Sequence, residues 1–260
     1  MVILGLVLTG LVVSLSQQLQ QRRLLDTRTT LAQANDAVMA FVTANARLPC
    51  PAIVATSGQE STVPGFFYRC TTAAGFLPAV TLGLPNLDGN GLLNDGWADG
   101  SIRDQPGGPI NYPRALRYSV AQLAAAPLQR DALTTASLGG RTRAAVGTAL
   151  MSPNNNGLFV CRSSAGMVAA GNRCVTNANS LALNAVAVIW SQGPTGNDKL
   201  GNSADENQNA GQLTGAGIAR ALVMRDPADP AAASGRFDDL VSWISWGPVA
   251  DKLWAAAGVP

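Results

Sequence analysis

The sequence predicts an α+β protein: one long N-terminal helix laid against an antiparallel β-sheet, in a loop-rich domain closed by two disulfides. Three observations carry that prediction. From Met1 to Asn45 there is no Gly or Pro after Gly10, and Leu, Ala, Gln and Arg dominate, so the stretch reads as a single continuous helix. Short β-branched or aromatic runs recur beyond Leu116, each bounded by Gly, Asn, Asp or Pro. The four cysteines fall into two local couples.

At about 1.5 Å per residue the helix is roughly 65 Å long, far beyond the ordinary globular helix. Its first third, MVILGLVLTGLVVSL, is uncharged and suits only lipid or a bundle of similar helices. Gly5 and Gly10 permit close helix contact there. Together with Leu11, Val12 and Leu15 they are the candidate assembly residues. Further along, Leu24, Leu31 and Val38 recur every seven residues, with Ala34, Phe41 and Val42 beside them, which makes a stripe for packing on the chain's own domain. The chain thus divides into a helical arm, 1–47, and a globular domain, 48–260.

The apolar run is shorter than the ~20 residues that span a bilayer. It lacks the basic n-region and small-residue cleavage site of a secretory signal peptide. Arg22, Arg23 and Arg28 follow it, and a positive-inside count on these alone places the domain in the cytoplasm. The cysteines argue the opposite. Cys50 with Cys70, and Cys161 with Cys174, each bracket a loop containing Gly, Pro or Ser. Of three possible connectivities the local one is expected, and closing loops of this size contributes about 3 kcal/mol each in the chain-entropy model. Zinc is disfavoured, because the chain has no Cys-x-x-Cys and no histidine. Disulfides imply an oxidising compartment. The conflict resolves if a basic, partly apolar segment precedes Met1 in the complete protein, and that is the expectation.

Beyond the helix, Ala46-Arg47-Leu48-Pro49 is the expected stop, since the residue before proline is pushed out of helical geometry. Val63–Cys70 is a candidate strand, and 86–109 is almost pure turn chemistry. Asp88, Asn90, Asn94 and Asp95 resemble calcium ligands only superficially, because Leu92 breaks the EF-hand pattern. The runs LRYSV (116–120), GLFVC (157–161), LNAVAVIWS (183–191), ARALVMR (219–225) and DLVSWIS (239–245) are the predicted strands. A helix or two is expected within 121–150. A short C-terminal helix is expected around Pro248, with Val249, Leu253 and Trp254 on one side and Gly258 as its stop.

Chemistry is sparse. Without histidine, Ser-His-Asp and Cys-His nucleophile systems are excluded. Lys199 and Lys252 sit in no recognisable motif, Glu60 and Glu206 are the only glutamates, and no phosphate-binding glycine loop occurs. A net charge of +2 without a basic block gives no footprint for nucleic acid. No enzyme, cofactor or metal is expected. The most site-like cluster is 191–210, where Asn197, Asp198, Asp205, Glu206, Asn207 and Asn209 supply oxygen donors that a hard cation could use. The favoured reading is a solvated loop whose Asp and Asn side chains cap turns.

Several segments together resemble the type IV pilin-like proteins, the superfamily of pilins, minor pilins and type II secretion pseudopilins. VILGLVLTGLVV is similar to the later part of their N-terminal helix. Leu31–Ala52 resembles a helix end closing on an L-P-C-P-A turn, and Phe76–Pro85, Arg117–Val120, AVAVIWSQGPTG and Phe237–Ser245 follow in the same order. The family's basic leader, terminal Gly and F-T-L-x-E-like segment are not in this sequence. The resemblance implies a structural subunit, a minor pilin or pseudopilin, held in the inner membrane with a periplasmic domain and drawn into a filament of bundled helices. Its partners would be other pilin-like subunits, the membrane, an assembly platform and a prepilin peptidase. The alternative reading is a membrane-anchored periplasmic or surface domain with a binding or adhesive role.

Overall fold

The structure is a computed structural model that describes residues 2–65, 69–97, 114–121, 133–134, 146–147, 157–168, 173–194, 203–210, 221–228 and 231–256, with the side chains of the first helix described from Gln18 onward. It is an α+β protein, as the sequence predicts. Helix α1 runs unbroken from Val2 to Asn45. It buries Thr27, Leu31, Ala34, Val38 and Val42, spacings of three and four that keep one stripe facing inward. Leu24 is partly buried on the same stripe and Phe41 half-buried at its flank. Fully burying residues of the size of Leu31, Val38 and Val42 contributes about 1.5–3 kcal/mol each, so this part of α1 is core.

The stop comes just ahead of the Pro49 rule. Ala46 takes a left-handed conformation at φ 50°, and its N–H still reaches Val42 O at 2.9 Å. The turn beyond is fixed by charge: Arg47, nearly fully buried, grips Glu60 through both guanidinium nitrogens at 2.7 and 2.6 Å. Glu60 also accepts the Cys50 N–H at 3.1 Å. The Tyr118 hydroxyl donates to Pro49 O at 3.2 Å.

Among the described residues eight strands follow: β1 Ala74–Phe76, β2 Arg117–Val120, β3 Leu158–Cys161, β4 Met167–Val168, β5 Arg173–Cys174, β6 Ser180–Ser191, β7 Ala221–Val223 and β8 Leu240–Ser245. The main sheet is organised on β6, whose Ala185–Ser191 run is fully buried. On one edge β6 pairs antiparallel with β2 (Tyr118 opposite Ile189) and then with β3 (Leu158 opposite Ala185). On the other edge it pairs antiparallel with β8 (Val188 opposite Trp243). β1 extends the sheet beyond β2, and β4 with β5 makes a separate hairpin.

The sheet is mixed, which corrects the antiparallel prediction. β7 pairs with β3 in parallel, Val160 opposite Leu222. The reason is steric: both edges of β6 are occupied, so the strand after it cannot form a hairpin with it and joins the open edge of β3. α1 lies over β6 and β8 together with the C-terminal helix α3, Trp246–Ala256. Pro248 falls in the first turn of α3, where its missing N–H costs nothing, and Val249, Ala250 and Leu253 are buried.

Other expectations fared unevenly. Val63–Cys70 contributes one bridge, Thr62 with Cys70, and its centre lies outside the described residues. Most of the helix expected within 121–150 also lies outside them. Both disulfides pair locally, Cys50–Cys70 and Cys161–Cys174, with Cα separations of 5.2 and 5.6 Å.

Candidate functional site

The feature with most functional content is the place where α1 leaves the domain. From Gln18 to Arg22 every side chain is exposed, Leu19 among them, and Leu25 is exposed as well. The grip begins at Arg23, whose guanidinium lies over the Trp97 ring at 5.9 Å. One turn on, the Thr27 hydroxyl donates to Arg23 O at 2.8 Å and accepts the Gly96 N–H at 3.0 Å. Only glycine fits here: a Cβ on Gly96 would stand 2.5 Å from Arg23 O.

The loop making this grip is anchored by Asp95. Its carboxylate accepts the Trp97 N–H at 3.0 Å and the Ser191 hydroxyl, while Ser191 Oγ accepts the Gly193 N–H. Burial pushes the Asp95 carboxyl up to about 6, against the lowering effect of Ser191 and Trp97. The turn reading of 86–109 holds for Asp88, whose Oδ1 accepts the Asn90 and Leu92 N–H groups. Asp95 caps the turn at 96–97 in the same way, but it is buried and not solvated.

Of the residues singled out for assembly, Gly5, Gly10, Leu11, Val12 and Leu15 belong to the continuous backbone of α1, and their side chains lie outside the described residues. Among the described residues, no helix is long and apolar enough to cross a membrane.

The 191–210 cluster departs most from expectation. Asn197 and Asp198 lie outside the described residues, but 204–210 is a helix, α2, and not a solvated loop. Asp205, Glu206 and Asn209 are buried. Asp205 accepts the Ser164 N–H at 2.7 Å and its hydroxyl at 2.6 Å, and pairs with Arg225 Nε at 2.7 Å. Asn209 acts as a surrogate strand residue for the outer edge of β7. Its Oδ1 accepts the Val223 N–H at 2.7 Å, and its Nδ2 donates to Val223 O at 2.9 Å and to Asp239 Oδ2 at 2.8 Å. Gln208 donates to Ala221 O on the same edge.

Glu206 is less well served. Its Oε1 accepts the Asp238 N–H at 2.9 Å, but its Oε2 is buried without a hydrogen-bond partner. Burial, then the nearby Asp238, pushes its carboxyl up to about 7. Burial likewise raises the Asp239 carboxyl well above the usual carboxylate range. Among the described residues, no group of three or more metal-ligating side chains is placed to hold a metal ion.

A signal for α2 was present in the sequence. Ser203 with Glu206 three residues on is an N-terminal capping pattern, and Ser203 Oγ accepts the Glu206 N–H at 3.3 Å.

The chain matches no known protein family, no curated protein and no solved structure.

Proposed function

We propose that this chain is a structural subunit of a pilin-like filament, a minor pilin or pseudopilin, assembled through its N-terminal helix. The observation that supports the reading best is the division of one unbroken helix. Residues from Arg23 to Val42 are held by the domain, while the helical backbone continues toward the N-terminus for another 21 residues, 2–22, about 31 Å at 1.5 Å per residue. That continuation carries the run VILGLVLTGLVVSL. Packing such helices side by side substitutes for their contacts with lipid, which moves a subunit from membrane to filament without refolding its domain. The two disulfides favour an extracytoplasmic domain. The role is non-enzymatic.

The test is co-expression of the chain with a pilus or type II secretion assembly machine, followed by shearing of the cells. The chain is expected in the sheared filament fraction, and there only when the assembly ATPase is active. Recovery solely in the membrane fraction, with or without the ATPase, would instead support an anchored binding domain.

A further inference from the structure

Strand β7 is a sheet edge closed by side chains. Its inner side faces β3, where the Met224 N–H just beyond β7 reaches Cys161 O at 2.8 Å. Alternate residues of a strand turn their backbone polar groups to opposite sides, so Ala221 and Val223 present theirs outward. Among the described residues no strand lies there. Two amide side chains of α2 take its place. Asn209 Oδ1 accepts the Val223 N–H at 2.7 Å and its Nδ2 donates to Val223 O at 2.9 Å, while Gln208 donates to Ala221 O at 3.0 Å. A residue that offers both N–H and C=O on one edge pairs with an antiparallel partner by exchanging both bonds. That pattern is its own complement: Val223 of a second copy, turned about a two-fold axis, offers the same two groups at the same spacing.

The cover over this edge has one weak hold. Asp205 ties α2 to Ser164 and to Arg225, but Glu206 has one backbone donor, from Asp238, and an Oε2 buried without a partner. Asp238 and Asp239 place negative charge beside it, Arg236 and Arg225 offset part of that, and burial tips the balance, so the protonated form persists up to about pH 7. Once ionised, the orphan oxygen is part of a buried charge, which costs more than a neutral group left unpaired. We propose that α2 is a latch over a self-pairing edge: ionisation of Glu206 releases it, Asn209 leaves Val223, and the β7 edges of two copies pair antiparallel about a two-fold axis. Release returns Glu206 to water, so pairing strengthens as pH rises through that value. The pairing surface lies on the domain, apart from the helical stretch 2–22, and the inference stands independently of the filament reading.

The experiment is sedimentation equilibrium of the full chain in detergent at pH 5 and pH 8, with amide hydrogen exchange at Val223 followed against protein concentration. Association is expected to be at least about tenfold tighter at pH 8 than at pH 5, with protection of the Val223 N–H that grows with concentration. Glu206→Gln, which keeps the shape and cannot ionise, is expected to stay monomeric at both pH values, and Asn209→Ala to associate at both. Adding Val223→Pro to Asn209→Ala removes the outward N–H, leaves the groups of Leu222 and Met224 that face β3, and is expected to abolish association. Thermal unfolding confirms that each variant folds. Association equal at the two pH values, association at pH 8 undiminished by Glu206→Gln, or Val223 exchange independent of concentration would overturn the proposal, as would a folded Asn209→Ala variant that stays monomeric.

Discussion

The chain contains two glutamates, and both are placed inside the domain, Glu60 beneath the end of α1 and Glu206 on α2. The two sites solve the same problem differently. Glu60 meets Arg47 in a two-pronged ion pair and takes a backbone N–H as well. Its charge is neutralised by a counter-charge, beside the Cys50–Cys70 disulfide and the buried Tyr118. Glu206 has one backbone donor, an orphan oxygen and two aspartates in its surroundings, Asp238 and Asp239. Burial and the neighbouring Asp238 push its carboxyl up to about 7, so it meets the loss of solvent by taking up a proton as pH falls through that value. The seat of α1 is therefore held by an ion pair, whereas the α2–β7–β8 junction is a place where proton uptake and folding are coupled.

Breaking the first site has the largest expected effect. Arg47→Ala strands Glu60 in a largely buried position, and loss of one member of such a pair costs about 3–5 kcal/mol. The urea midpoint is expected to fall accordingly. Replacing both members, Arg47→Met with Glu60→Leu, is expected to recover most of that loss, since no unpaired charge is left behind. A single Arg47→Ala variant within ~1 kcal/mol of the parent would mean that the pair acts as a surface contact and does not secure the helix end.

The second site is tested by pH. Glu206 has a folded value of about 7 against an ordinary 4.5, so the folded state holds its proton more tightly than the unfolded chain. Its contribution is fully present below about 4.5 and is lost as pH rises toward 7. Asp95 and Asp239 are shifted in the same direction and add to the slope. The domain is expected to be more stable at pH 5 than at pH 8, and Glu206→Gln to remove roughly 1–3 kcal/mol of that difference by stabilising the protein at pH 8. Urea unfolding at both pH values reads it directly, and a variant whose stability falls equally at both would show that the orphan oxygen is not charged at pH 8.

The smallest effect sharpens the comparison at its edge. Ser203→Ala removes the cap beside Glu206 and is expected to cost about 1 kcal/mol, with faster amide exchange confined to 204–210. Exchange rising equally at the end of α1 would mean that the two sites are not independent.

Much of the Glu60 region was legible in the sequence. The Leu31, Ala34, Val38, Val42 spacing gives the buried stripe, Pro49 places the stop within a few residues, and the flanking cysteines give the bridge. These are local signals of period and punctuation. The Glu206 region was not legible in the same way. A run of Asn, Asp and Gln looks solvated, and its burial depends on long-range partners: Val223 and Asp239 for Asn209, Ser164 and Arg225 for Asp205. The parallel β3–β7 pair was missed for the same reason, since it follows from which edges of β6 are already taken. The Thr27–Gly96 contact joins residues 69 apart, and nothing in the local sequence of either announces it.

We propose that one helix serves both its own domain, from Arg23 onward, and neighbouring subunits before it. Single cysteines at Gly5, Gly10, Leu11, Val12 or Leu15, in a chain whose four native cysteines are all bridged, test it in cells carrying an assembly machine. Oxidation is expected to give subunit-to-subunit crosslinks at these positions that vanish when assembly is blocked, and none from a cysteine at Ala34 or Val38, which face the domain's own core. Absence of crosslinks at every one of the N-terminal positions in assembling cells would contradict the account.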